Sequence, residues 1–275
     1  VPHVVAGEML VAISMSEPDA GTALTDLRTK ARFEGDRIVI DGSKRWCSGA
    51  GHSEGYVVFC RFDGIPGAKG IGAVFVDRDT PGLSFGAQEE LMGFRGVPSA
   101  DMTFEGVSVP RDHLLVGPGG FAGLMGLFNI ERLGNATMAL GVAAGALEQV
   151  TTYVQERKQF GKAIVDFQAV QIRLAEMAMK VEASRLLIHR AAANAGTGLP
   201  SVREASLAKC YANEITREVT ATALQLMGGY GYAREYGMER RLRDSFGWGI
   251  AGGAIDIQKI NIAADLVGRR FDQRK

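Results

Sequence analysis

The chain has 275 residues, 46% of them hydrophobic, and its 31 lysines and arginines balance 31 aspartates and glutamates. That length holds a sizeable core, as one large domain or two modest ones. The even charge excludes the basic surface of a nucleic-acid binder and a polybasic membrane anchor, and no apolar run is long enough to span a bilayer.

The sequence opens at Val1-Pro2, with no initiating Met and no basic-then-apolar signal segment. An apolar run over 9–13 starts almost at once and breaks at Glu17-Pro18 into a small-residue loop carrying Gly21 and Thr22. Short β-branched runs follow at 37–42, 56–59, 72–76 and 102–104. Turn residues such as Glu34-Gly35-Asp36 and Pro81-Gly82 punctuate them, which predicts an antiparallel sheet or barrel. The glycine-rich stretch Val116-Gly117-Pro118-Gly119-Gly120 reads as a linker. Beyond it, apolar residues recur at helical spacing over 128–158, 167–193, 202–226 and 255–267, with breaks at Gly161, between Gly196 and Pro200, and from Gly228 to Gly231. The expected fold is α+β: an antiparallel β-barrel domain over 1–115, then a four-helix bundle over 116–275.

Cys47, Cys60 and Cys210 lack metal-ligand spacing and read as reduced thiols of a reducing compartment. His3, His52, His113 and His189 are scattered, so no metal is expected. Chemistry gathers instead in four segments. The first is Ile13-Ser14-Met15-Ser16-Glu17-Pro18-Asp19-Ala20-Gly21-Thr22, a strand end and loop whose backbone N–H groups can approach a flat ring or a phosphate. The others are Lys44-Arg45-Trp46-Cys47-Ser48, Glu156-Arg157-Lys158-Gln159-Phe160-Gly161-Lys162 and Gln225-Leu226-Met227-Gly228-Gly229-Tyr230-Gly231-Tyr232. Taken singly, Trp46 reads as a core aromatic, Arg157 as an exposed charge in a helix-ending cluster, and Gly228-Gly229 as a helix C-cap.

In this order the four segments resemble the flavin-binding segments of the acyl-CoA dehydrogenase family, and the resemblance runs over essentially the whole chain. Family members usually carry one further helical domain before this point, which this chain lacks, so by the resemblance it reads as a fragment or processed product. The implied cofactor is FAD. By the resemblance, Ile13, Met15 and Ser16 lie along the isoalloxazine, Gly21 and Thr22 form the phosphate- and ligand-side loop, Trp46 shields one flavin face, and Ser48 bonds near N5. Arg157, with Gln159, corresponds to the group that reaches the pyrophosphate of a neighbouring subunit's FAD. Gln168 and Gln225 line the same half-site, and Gly228 and Gly229 let backbone approach the adenosine end. The active form is then at least a dimer, and a homotetramer is the family's usual state.

The implied reaction is α,β-dehydrogenation of an acyl-CoA thioester, a step of fatty acid metabolism. A carboxylate removes the α-proton, the β-hydride passes to FAD N5, and the electrons pass on to an electron-transfer flavoprotein. Many family members keep the base in the loop ahead of the last helix. Here that position is Gly252, and Ala254 replaces a neighbouring Thr. A second group, which includes isovaleryl-CoA and long-chain dehydrogenases, carries the base in a Glu-Arg pair on the first bundle helix. Phe128-Asn129-Ile130-Glu131-Arg132-Leu133 matches that pattern, so Glu131 is the expected base and Gly252 the backbone donor to the thioester carbonyl. Without the resemblance, Glu131 reads as a helix residue paired with a cation or solvated. Thr22, Phe128, Arg132 and Gly253 are the expected substrate-side positions.

Two rival readings remain: a flavoprotein of the same fold with oxidase, monooxygenase or desulfinase chemistry, and a non-catalytic structural subunit. The expected location is the cytoplasm, or the mitochondrial matrix in a eukaryote.

Overall fold

A computed structural model describes residues 1–271 of the chain. The chain divides into two compact units, the first Val1–Met125 and the second from Gly126 onward. The sequence boundary at 115 falls earlier, because Leu114 and Val116 pair with Val74 and Ala73 as the last strand of the first unit's sheet.

The first unit holds a short helix α1 (Pro2–Val5) and eight strands: β1 (Val11–Ser14), β2 (Lys30–Glu34), β3 (Arg37–Ser48), β4 (Gly55–Phe62), β5 (Ile71–Asp77), β6 (Leu83–Phe85), β7 (Ser99–Pro110) and β8 (Leu114–Val116). They form one sheet in the order β6-β7-β3-β2-β4-β5-β8, with β1 also paired to β4. The expected closed antiparallel barrel is not what forms. The ladder ends on two three-residue edge strands, β6 and β8. It also branches at β4, where β1 and β2 both pair in parallel. The α+β class stands; the closure does not. Every second residue of β4 from Tyr56 to Phe62, with Ile38 and Ile40 of β3, enters one core cluster, against which Phe33 stacks on Phe62 at 5.3 Å.

The second unit contains most of α2 (Phe121–Glu156), a small hairpin of β9 (Lys158–Gln159) and β10 (Lys162–Ala163), then α3 (Gln168–Ala195), α4 (Val202–Met227), α5 (Gly229–Tyr232), α6 (Met238–Trp248) and α7 (Ile255–Leu266). Its core is rich in alanine: Ala136, Ala139, Ala143 and Ala146 of α2 share a cluster with Ala208 and Ala212 of α4. Side chains this small let helix axes approach closely. Ser201 caps α4 by accepting from the Glu204 N–H at 3.1 Å. The four-helix expectation omits α6, which packs against α4 together with α3 and α7. Its run Glu239-Arg240-Arg241-Leu242-Arg243-Asp244 sets five charges in six residues, and that polarity masks the apolar face the helix carries.

Candidate active site

The loop after β1 is tied down by a buried ion pair. Glu17 Oε1 lies 2.8 Å from Lys44 Nζ, and both residues are almost fully buried. The Glu17 carboxylate also accepts from the Thr29 N–H at 2.9 Å and the Arg28 N–H at 2.5 Å. Lys44 donates further to the Met15 carbonyl at 2.9 Å. Burial alone raises the Glu17 pKa, but the Lys44 charge and these bonds hold it below the ordinary carboxylate value.

One residue beyond Lys44 the pairing of β3 with β7 slips. Lys44 faces Met102 and Cys47 faces Ala100, so Arg45 and Trp46 together oppose Asp101. Such a bulge re-aims side chains. Trp46 adopts φ 62° and is 53% exposed. The Arg45 guanidinium lies 4.4 Å from the Trp46 ring centroid and is held by Asp101 at 2.9 Å and Glu89 at 3.0 Å. The Arg45 N–H donates to the Ser16 carbonyl at 2.9 Å, and Cys47 Sγ donates to the Ile13 carbonyl at 3.5 Å. The fold therefore brings Ile13, Met15, Ser16 and Trp46 to one end of the sheet, with Ile13 and Trp46 presenting exposed apolar surface. Gly21 and Thr22 follow in an exposed loop, and Ser48 ends β3 opposite Ser99. Burial pushes the Cys47 thiol up to about 11, so it is a neutral packing group here.

In the second unit an open cleft of about 750 Å³ gathers Arg157, Gln159, Gln225, Gly228 and Gly229 along with Tyr230. Arg157 stacks over the Tyr230 ring at 5.2 Å. A Cβ added at Gly228 or Gly229 would meet nothing within 4 Å, so that backbone is open to approach. Gln168 is exposed at the start of α3, outside the cleft lining, although its neighbour Phe167 lines it.

A second grouping in this unit joins α2 to the turn before α7. Gly252 has φ +65°, and a Cβ there would stand 2.5 Å from both carboxylate oxygens of Glu131. Glu131 Oε2 is buried without a hydrogen-bond partner among the described residues. Burial raises the Glu131 pKa, and the charges of Lys209 and Arg132 draw it back down. Arg132 donates to Asn129 Oδ1 at 2.6 Å, while its buried Nε has no partner among the described residues. Phe128 lies one turn before Arg132 on α2, and Gly253 follows Gly252 with φ +90°. A buried carboxylate that no hydrogen bond holds in its ionised form is poised to accept a proton.

The comparisons with known proteins cover both units. Residues 12–107 match the acyl-CoA dehydrogenase middle domain, and residues 119–267 match the acyl-CoA dehydrogenase C-terminal domain. The chain belongs to the acyl-CoA dehydrogenase family. It is 38% identical over 273 residues to the 3-sulfinopropanoyl-CoA desulfinase of Cupriavidus necator, covering 96% of this chain and 68% of that protein. It is 37% identical over 265 residues to the caffeyl-CoA reductase–Etf complex subunit CarC of Acetobacterium woodii, covering 96% and 70%. Among solved structures, butyryl-CoA dehydrogenase from Megasphaera elsdenii superposes with TM-score 0.93 at 34% identity, over 96% of this chain and 70% of that one.

Acyl-CoA dehydrogenase family members are FAD-binding flavoproteins. The residues present fit that group. The first unit offers a flat aromatic beside an apolar strand end, suited to a ring system. The second offers a guanidinium, carboxamides and bare glycine backbone, the donor set suited to a pyrophosphate and ribose. Among the described residues no cluster of His, Cys, Asp or Glu is placed to hold a metal ion, and no helix is long and apolar enough to cross a membrane.

Sequence reasoning missed the buried polar residues beneath these sites, above all Lys44 and Lys209. The signal is present for Lys209. It stands at helical spacing from Ala205 and Ala212, in phase with the buried face of α4, where an unpaired lysine has no place.

Proposed function

We propose that the protein catalyses α,β-dehydrogenation of an acyl-CoA thioester, with Glu131 as the base that takes the α-proton. The observation that carries this reading is the unbonded Glu131 carboxylate lying in the space that the missing side chain of Gly252 leaves open. Its raised pKa brings it toward the range where a carboxylate accepts a proton effectively. The Gly252 N–H is the donor for the thioester carbonyl as negative charge develops there. Phe128, Arg132, Gly253 and Thr22 serve the acyl-CoA. FAD, when bound, supplies the hydride acceptor. Ile13, Met15, Ser16, Gly21, Thr22, Trp46 and Ser48 hold its ring end. Arg157, Gln159, Gln168, Gln225, Gly228 and Gly229 hold the nucleotide end of a neighbouring copy's cofactor, which makes the working form a homo-oligomer, in our reading a tetramer. An electron-transfer flavoprotein takes the electrons, a reading supported by the similarity to a subunit of an Etf complex.

The test is an anaerobic titration of the FAD-loaded protein with a panel of acyl-CoAs, followed at the flavin absorbance, on wild type and Glu131→Gln. Bleaching in wild type and none in the variant, with FAD still bound, is the expected result. Equal bleaching in both would remove Glu131 from the base role.

A second reading is favoured by the 38% identity to a 3-sulfinopropanoyl-CoA desulfinase. On that reading the carbon–sulfur bond of a sulfinylated acyl-CoA is cleaved with one water, a proton replacing sulfur on carbon and the sulfur leaving as sulfite, with no net reduction of the flavin. Sulfite release that survives Glu131→Gln would select it over dehydrogenation.

A further inference from the structure

The turn that presents Gly252 is braced by side chains for which the proposed chemistry has no use. The Ala251 carbonyl accepts from Lys209 Nζ, and from Asn135 Nδ2 at 3.4 Å. The Gly253 carbonyl accepts from Gln258 Nε2 at 3.1 Å, and Ser206 Oγ fixes Gln258 at 3.0 Å. Asn213 Nδ2 links Asn135 Oδ1 at 3.0 Å to the Lys209 carbonyl at 2.8 Å. Lys209, Asn213, Ser206 and Gln258 are all 0% exposed and Asn135 is 1% exposed.

A carbonyl needs only a neutral donor, and an ammonium is the costliest donor to bury. Asn135 and Gln258 show that amides suffice for this turn. The lysine therefore does more than an amide would. Among the described residues no carboxylate lies within ion-pair distance of it; the charges that face it are Glu131 and Arg132, both from α2. From the turn before α7 comes the Ala251 carbonyl, and among the described residues no charge of α3, α6 or α7 acts on the ammonium.

The bonded carbonyl matters as much. Ala251 C=O and Gly252 N–H belong to one peptide group. A charged donor on the oxygen polarises that group and strengthens the N–H at its other end. We propose that Lys209 is a positioning residue of the proton-abstraction site: its ammonium polarises the peptide that carries the Gly252 N–H and supplies the positive charge against which Glu131 ionises. The proposal rests on the reading of Glu131 as base and Gly252 N–H as carbonyl donor. In proton abstraction Glu131 becomes neutral while negative charge moves to the thioester oxygen at the Gly252 N–H. Lys209 serves both ends of that transfer, so its charge is never left without a counterpart.

Burial brings Lys209 down to about 8, with Glu131 holding it up and Arg132 lowering it. Coupling between two titrating groups is reciprocal. The test uses the FAD-loaded protein carrying lysine labelled with carbon-13 at Cε. Glu131→Gln, which keeps shape and removes charge, is expected to lower the titration midpoint of one buried lysine resonance by about one pH unit. In Lys209→Met, the acid limb of the bleaching rate against pH is expected to move up by about one unit. The maximal rate should fall more than acyl-CoA affinity does. A lysine spectrum indifferent to Glu131→Gln, or an acid limb unmoved in Lys209→Met, overturns the proposal. If Lys209→Met does not fold, the Glu131→Gln titration decides alone. Failure of the base assignment looks different: Glu131→Gln then bleaches at the wild-type rate, whatever the lysine resonance does.

Discussion

Both oxygens of Glu131 stand 2.5 Å from the point a Cβ on Gly252 would occupy. The two positions, far apart in sequence, divide one volume between them: a side chain on one excludes the carboxylate of the other. The clash falls on the far end of a flexible side chain, so the backbone need not yield. Gly252→Ala should therefore lose only about 1–2 kcal/mol of stability, from the left-handed backbone. Activity should fall much further, about 100-fold, because Glu131 is pushed off its position. Thermal unfolding and flavin bleaching rates, measured on one preparation, check the split. Equal losses in both would mean that the glycine serves the turn and not the carboxylate.

The Glu17–Lys44 pair makes a prediction with a defined sign in pH. Lys44→Met leaves the Glu17 carboxylate buried without its cation and should cost about 3–5 kcal/mol. The double variant Glu17→Gln with Lys44→Met should cost less than the sum of the single ones, because the two residues share one interaction. The folded Glu17 pKa lies below the ordinary carboxylate value, so the unfolded chain binds more protons between the two values. The stabilisation is then fully present above the ordinary value and lost as pH falls through the folded one. Urea unfolding from neutral pH downward should show a drop in wild type that Glu17→Gln lacks. Parallel curves would show that the pair does not set the acid limit.

Much of this architecture is legible in the residues, and the gaps have physical causes. Strands and helices announce themselves by period, so the change from a sheet to helices shows near Gly117. Closure of a sheet is different: it depends on which edges meet, and β1 and β2 joining the same strand in parallel leaves no trace in a period of two. Helix α6 hides because five of its eleven residues are charged, which makes the segment too polar to read as a core helix. Within the site, the glycine at 252 and the glutamate at 131 are visible as residue types, but their contact is a tertiary fact. Lys209 is the converse case, a charge printed in phase with alanines whose meaning appears only when Ala251 and Glu131 are found beside it.

Trp46 allows cofactor binding to be weakened with little effect on stability. Its φ of 62° is a conformation that costs an L-residue about 1–2 kcal/mol and a glycine almost nothing. The contact with Arg45 offsets part of that, by about 0.5–1 kcal/mol at a half-exposed ring. Trp46→Gly removes the strain and the stacking together, so thermal stability of the cofactor-free protein should change little. FAD affinity should fall at least about fivefold, since an exposed aromatic that walls a ring system contributes about 1 kcal/mol or more. A midpoint near the wild-type value with weakened flavin binding would identify Trp46 as a residue held in strain for the cofactor. A large loss of stability with FAD affinity intact would instead make it a packing residue of the bulge, with Arg45 and Asp101 serving the sheet alone.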